Sequence, residues 1–220
     1  MKNYLIGSSL ILGCLVGAPV LAEDDFYLSI GGGKAFPSDA ESDYTVGGTV
    51  YDITEETDDP AIFSLGFGKK FDNDFRVEFN FSKSTVSTDS FTVTSGGVGV
   101  TGSITPALEY DVTTYMVYGL KDFPNDSKFT PYAGIGAGFA SLDADDQIAT
   151  IAGTAYSFTF EEESVFSYAL KGGVSYEVTD NAALFTELGY QYLGSYDSAG
   201  NVNYDSNNLV GLSAGIRFSF

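Results

Sequence analysis

The sequence predicts an all-β chain, folded as an eight-stranded antiparallel up-and-down transmembrane β-barrel. Three observations predict it: eight segments alternate with period two, the links between them are alternately short and long, and the composition favours strands. The 220 residues include 26 Gly, 15 Tyr and 18 Phe, and 44% are hydrophobic. That is too apolar for a solvated coil and suited to sheet.

Composition also excludes chemistry. The chain has no His, which removes Ser-His and Cys-His nucleophiles, His metal ligands and His acid/base work. One Cys excludes an intrachain disulfide and a Cys-based zinc site. With 30 acids against 10 bases and a net charge of −20, no basic cluster exists to neutralise phosphates, so nucleic acid is not an expected partner. No cofactor is implied, and no enzymatic activity is expected.

The first residues read as a targeting segment. Lys2 supplies the charged start, residues 4–16 are apolar, and Val20 and Ala22 place small side chains at a −3/−1 spacing before Glu23-Asp24-Asp25. This predicts a secretory signal peptide over 1–22, cut after Ala22, with 23–220 as the barrel domain. The apolar run is short for a spanning helix. Cys14 loosely fits a lipoprotein box, but Leu12 is large where such boxes take a small residue, and the apolar run continues past the cysteine. The remaining 198 residues hold no Cys and a charge of −21.

No later stretch approaches the ~18 consecutive apolar residues of a spanning helix. The alternating segments fall at roughly 25–36, 61–71, 74–85, 109–121, 129–140, 165–177, 182–194 and 208–220. Their lengths suit tilted membrane-crossing strands. In the last, Val210, Leu212, Ala214, Ile216, Phe218 and Phe220 oppose Gly211, Ser213, Gly215, Arg217 and Ser219. The third sets Phe75, Val77, Phe79 and Phe81 against Arg76, Glu78, Asn80 and Ser82. The sixth sets Phe166, Tyr168, Leu170, Val174 and Tyr176 against Ser167, Ala169, Lys171, Gly173 and Ser175. The large apolar face is expected to meet lipid and the small or charged face a polar lumen.

Short links at 72–74, 122–128 and 178–181 carry turn residues, whereas 37–60, 86–108, 141–164 and 195–207 are long. Short periplasmic turns and long extracellular loops are the pattern of outer-membrane barrels. Phe71, Phe75, Phe123, Phe129 and Tyr176 flank the short turns, where an interfacial girdle belongs.

The ten bases avoid the long loops, which hold 17 acids. Asp143, Asp145, Asp146, Glu161, Glu162 and Glu163 are the densest candidates for divalent cations such as Ca²⁺. The stretch from Asp143 lacks the Gly and distal Glu of an EF-hand loop, and a solvated, self-repelling rim explains the acids as well. Lys70, Arg76, Lys121, Lys171 and Arg217 are expected on inward faces with Glu78 and Glu187, and with Glu109 or Asp111 near a rim. An eight-stranded barrel is just wide enough to be filled by side chains, so these charges must pair, as Arg76 with Glu78 and Arg217 with Glu187. Such a network either plugs the lumen or gates a narrow pore. Gly134, Gly136, Gly138, Gly173, Gly189, Gly211 and Gly215 leave it room.

Phe75-Arg76-Val77-Glu78-Phe79, the strand from Thr130 through Pro131 and Tyr132 to Gly138, and the C-terminal Ser213-x-Gly215-x-x-Phe218-x-Phe220 carry a resemblance. The chain resembles the small eight-stranded outer-membrane barrels of Gram-negative bacteria, the OmpA-transmembrane-domain-like and porin-family surface proteins. The resemblance implies residence in the outer membrane, contact with its bilayer, and barrel-assembly machinery that reads Ser213, Gly215, Phe218 and Phe220. OmpA itself carries a peptidoglycan-binding domain after its barrel; none is expected after Phe220. Family members serve as structural envelope proteins, antigens, adhesins or narrow pores, so the fold implies a place better than a task. The expected function is structural or surface-interacting. The alternatives are a gated pore for small solutes or ions, and adhesion to host or surface ligands through the acidic loops, with Tyr44, Tyr51, Tyr156 and Phe158 as contacts.

Overall fold

The computed structural model describes residues 25–220, apart from 47–48, 96–97, 152–153, 159–161 and 199–201. The signal segment with Val20 and Ala22 therefore lies outside the described residues. In chain order the strands are β1 (Phe26–Pro37), β2 (Ala40–Val46), β3 (Thr49–Thr57), β4 (Ala61–Phe71), β5 (Phe75–Ser95), β6 (Val98–Asp122) and β7 (Phe129–Asp143). They continue with β8 (Gln147–Ile151), β9 (Thr154–Phe158), β10 (Glu163–Thr179), β11 (Ala182–Leu193), β12 (Tyr196–Ser198), β13 (Val202–Tyr204) and β14 (Asn207–Ser219).

Eight of these form a closed antiparallel ring, β1-β4-β5-β6-β7-β10-β11-β14. It closes through eleven paired positions from Tyr27↔Ser219 to Pro37↔Leu209. Closure leaves the wall no free edge, as a bilayer demands. Each wall strand alternates about the wall. Leu28, Phe67, Phe79, Val117, Ile135, Leu170, Leu188 and Leu212, one from each strand, are large, apolar and exposed on the outside. Arg76, Glu78 and Lys171 are buried inside. A soluble barrel has the opposite arrangement; this one is solvated by hydrocarbon.

At the short-turn end, Phe71 and Phe75 face each other across the Asp72-Asn73-Asp74 turn. Asp74 adopts φ 58° there, a left-handed conformation that Asp tolerates better than most residues. Phe71, Phe75, Phe123, Phe129 and Tyr176 are all exposed, and the Phe129 and Tyr176 rings lie 4.8 Å apart, forming one interfacial girdle.

The opposite end departs from the sequence expectation. Residues 86–108 read as a loop, yet β5 and β6 run on through it as a hairpin, with pairing from Ser90↔Ser103 to Ser95↔Val98. β3 adds to β5, β2 to β3, β13 to β2 and β12 to β13, while β8 and β9 add beyond β6. The extracellular connections thus make a β-sheet collar above the barrel. Thr and Val are dense in these links (Thr92, Val93 and Thr94 opposite Thr101, Val100 and Gly99) and suit paired strands. The regular pairing breaks between Thr88 and Ser90, where residues 104–107 of β6 stand against a single residue of β5.

Candidate functional site

The inward side chains of the periplasmic half form one connected polar layer. Arg76, on β5, reaches Asp122 on β6 with a two-pronged pair, Nε to Oδ2 at 2.9 Å and Nη2 to Oδ1 at 2.8 Å. Its Nη1 donates to the Tyr27 hydroxyl at 3.2 Å, which donates in turn to Glu78 Oε2 at 3.0 Å. Lys171, on β10, donates to Glu78 Oε1 at 2.8 Å and stands 3.6 Å from Glu187 Oε2. Tyr132 donates to the same Glu187 oxygen at 2.9 Å. The chain of contacts runs Asp122–Arg76–Tyr27–Glu78–Lys171–Glu187–Tyr132. Its strands, β1, β5, β6, β7, β10 and β11, lie around most of the ring.

Aromatic rings fill the space between the charges. The Lys171 ammonium lies 4.1 Å from the Tyr118 ring centre. The Arg76 and Arg217 guanidinium groups each lie 5.0–5.5 Å from the Tyr27 and Tyr132 rings, within cation–π range. Room for these rings comes from glycine directly across the ladder. Tyr27 faces Gly68, Tyr118 faces Gly136, Tyr132 faces Gly173 and Phe185 faces Gly215. A Cβ at Gly68 or Gly136 lands inside van der Waals contact with the ring opposite, so these positions admit no larger residue without moving the aromatic. Arg76 is 1% exposed, Glu78 2% and Tyr27 0%, so these side chains are closed off from solvent by their neighbours. On the layer's extracellular side lies a cavity of about 80 Å³ lined by Asn80, Ser82, Tyr118, Lys171, Glu187 and Ser213.

The structure brings Lys70, Arg76, Glu78, Lys171, Glu187 and Arg217 to the lumen, but pairs them differently from the sequence expectation. Arg76 pairs with Asp122 rather than Glu78, which holds Lys171. Arg217 has no carboxylate partner among the described residues and donates to Ser175 Oγ at 2.9 Å. Pairing follows which strands meet across the interior, and sequence spacing does not report that. Lys121 is corrected outright. It points outward, bonds the Asn73 carbonyl and Asp74 Oδ2 at 3.3 Å, and leaves its neighbour Asp122 as the inward residue. Period two makes a one-residue error a change of face. Glu109 is exposed, and Asp111 pairs at 2.7 Å with exposed Lys83 on the outer face.

Sequence reasoning missed Asp122, Tyr27, Tyr118 and Tyr132. The run Val112, Thr114, Met116, Tyr118, Leu120 continues by parity to Asp122. Because β6 carries bulk on both faces, the large-out, small-in rule does not reveal its inner one. Among the described residues no three Asp, Glu, His or Cys gather to hold a metal ion. Asp143 ends β7, Glu163 begins the neighbouring β10 opposite Leu142, and Glu162 accepts from Ser141 at 2.8 Å; Glu161 lies outside the described residues. Ser213 and Gly215 face inward. Phe220 exchanges backbone bonds with Phe26 at 3.3 and 2.9 Å, tying the chain's last residue to its first wall strand. Side chains of Tyr44, Tyr156 and Phe158 lie outside the described residues, whereas Tyr51 is half-buried on β3.

Known proteins share this architecture. The outer membrane protein PagN of Salmonella typhimurium is 30% identical over 100 residues, covering 46% of this chain and 39% of PagN. Two solved structures match at the level of the fold. OprG of Pseudomonas aeruginosa has a TM-score of 0.56 at 17% identity, covering 89% of this chain and 95% of that one. Neisserial surface protein A has a TM-score of 0.53 at 17% identity, covering 89% and 97%. The family model described as "Outer membrane protein beta-barrel domain" matches residues 8–218. With a closed ring dressed in apolar residues outside and charge inside, the chain belongs to that family of Gram-negative outer-membrane β-barrels.

Proposed function

We propose that the protein is a plugged barrel that presents its extracellular β-collar as an interaction surface. The observation that supports this reading is the polar layer in which Arg76, Glu78 and Lys171, all nine-tenths or more buried, are paired, Arg76 with Asp122 on the neighbouring strand and Lys171 with Glu78 across the lumen. Conduction requires breaking at least one of those pairs, and leaving a buried charge without its partner costs about 3–5 kcal/mol. The collar supplies the working surface. Glu41, Asp43, Asp52 and Glu56 lie on β2 and β3, and no Lys or Arg lies in the four long links. The partners this surface suits are cationic ones on other cells or surfaces. The role is non-enzymatic, and residues 1–22 serve as the export signal.

Single-channel recording of the refolded barrel in a planar bilayer tests the plug. Silence is expected from the native chain. Discrete openings that change with Glu78→Ala or Glu187→Ala would replace this reading by a gated pore. Adhesion is tested separately by replacing 90–103 with a short turn. Loss of surface binding with the barrel still heat-modifiable on gels is the expected outcome.

A further inference from the structure

We propose that the cavity on the extracellular side of the polar layer binds one small neutral polyol, of about three to four carbons. The cavity exists because inward side chains at that height are small: Ser64 on β4, Ala169 on β10, Gly189 on β11, and Gly211 and Ser213 on β14. Space alone does not make a site, and Tyr118 supplies the second observation. Tyr118 is 8% exposed and lines the cavity, with its ring centre 4.1 Å from the Lys171 ammonium. Among the described residues its hydroxyl has no hydrogen-bond partner, yet it is not sealed off from the open space. A buried hydroxyl left unpaired is costly, so its partner belongs in the cavity.

The walls offer both kinds of hydrogen-bonding group. An ammonium has three protons to give; Lys171 directs them at Glu78, 2.8 Å away, and Glu187, 3.6 Å away, which leaves one. Glu187 Oε1 is reached by Ser213 alone, at 3.5 Å. Gln191 donates to Ser167 at 2.8 Å, and its carbonyl oxygen accepts from no described residue. A hydroxyl both donates and accepts, so adjacent hydroxyls serve an ammonium and a carboxylate side by side. Charge selects a neutral ligand: an anion at Lys171 meets Glu78 and Glu187, and a cation at Glu187 meets Lys171. Ile62, Ala169 and Leu209 complete the lining and suit a carbon skeleton, the mixed wall usual in small-molecule sites. The cavity gives water centres about 80 Å³, and at roughly 10–15 Å³ each it holds about five to eight waters. Erythritol displaces a cluster of that size, and a disaccharide exceeds it. The site needs only the cavity and exists whether the barrel conducts or is silent.

The test titrates the refolded, isotope-labelled full barrel in detergent micelles with erythritol and follows the amide signals of Gly189 and Gly211. Saturable shifts are expected at both. Butane-1,4-diol, which has the same chain length without the inner hydroxyls, should give only small shifts that grow linearly. Tyr118→Phe removes no hydrogen bond within the protein and should weaken erythritol about three- to tenfold, the usual size for one neutral hydrogen bond. Gly189→Val should fill the cavity and abolish saturation at Gly211. A Cβ at Gly189 meets only the Leu170 carbonyl oxygen, at 3.8 Å, so the wall tolerates it. A linear response of the native barrel to erythritol, equal affinities for erythritol and the diol, or native affinity in both variants would overturn the proposal. If Gly189→Val does not refold, native erythritol affinity in Tyr118→Phe alone overturns it.

Discussion

Glu78 is the residue on which the interior network converges, receiving Tyr27 and Lys171 while standing beside Arg76. Glu78→Ala leaves Lys171 with only the longer contact to Glu187 and should destabilise the barrel by about 3–5 kcal/mol, read from the urea midpoint of the barrel in lipid vesicles. Tyr27→Phe removes one hydroxyl but keeps the ring against Gly68, and about 1–3 kcal/mol is expected from the unsatisfied Glu78 oxygen. Gly136→Ala acts on the same layer by sterics. It displaces the Tyr118 ring that covers Lys171, and overpacking of this kind costs about 1–3 kcal/mol. A Gly136→Ala barrel as stable as the native one would remove the close-fit account of the glycines. Most inward charges were legible from the period-two pattern, but their partners were not. Asp122 comes from a strand with bulk on both faces, and Tyr132 is a large side chain on an inner face otherwise lined by Gly134, Gly136 and Gly138.

The wall strands were legible as elements because each is a two-faced ribbon between hydrocarbon and a polar layer. The collar strands were not, since Thr and Ser recur on them without such a contrast. The collar has its own pH dependence. Glu55, on β3, stands opposite Phe91 on β5 and Ala40 on β2, and burial raises its carboxyl above the usual carboxylate range. An acid whose folded pKa is raised holds its proton more tightly when folded. Stability is therefore gained as pH falls through that raised value towards the ordinary carboxylate range, and lost as pH rises back through it. Limited proteolysis of the β2–β3 hairpin should accordingly slow on mild acidification, and Glu55→Gln should remove the difference. The β5–β6 extension should be separable from the wall: a variant lacking 90–103 is expected to refold with native heat-modifiability, because every wall pairing lies below Thr88↔Leu108.

The whole molecule has three storeys: an aromatic girdle at the short-turn end, a closed ring within the bilayer and an acidic collar outside. Assembly should depend on its last strand, which closes against β1. Phe218→Ala with Phe220→Ala is expected to slow insertion into vesicles by purified assembly machinery while leaving spontaneous refolding in detergent nearly unchanged. Equal slowing in detergent would show that these aromatics matter to the folded barrel rather than to recognition.

The sequence by itself determined the compartment, the number of wall strands, the closure and, for most wall strands, which face meets lipid. These depend on a period of two read against lipid, and lipid imposes that period on every strand without reference to its neighbours. Only the tertiary structure decided which charges share a bond, that Lys121 faces out and Asp122 in, and that the long links build a collar. Those outcomes depend on register and on which strands meet across the interior of a closed ring. They are contacts between residues far apart in the chain, 93 positions in Lys171 with Glu78, and local alternation carries no record of them.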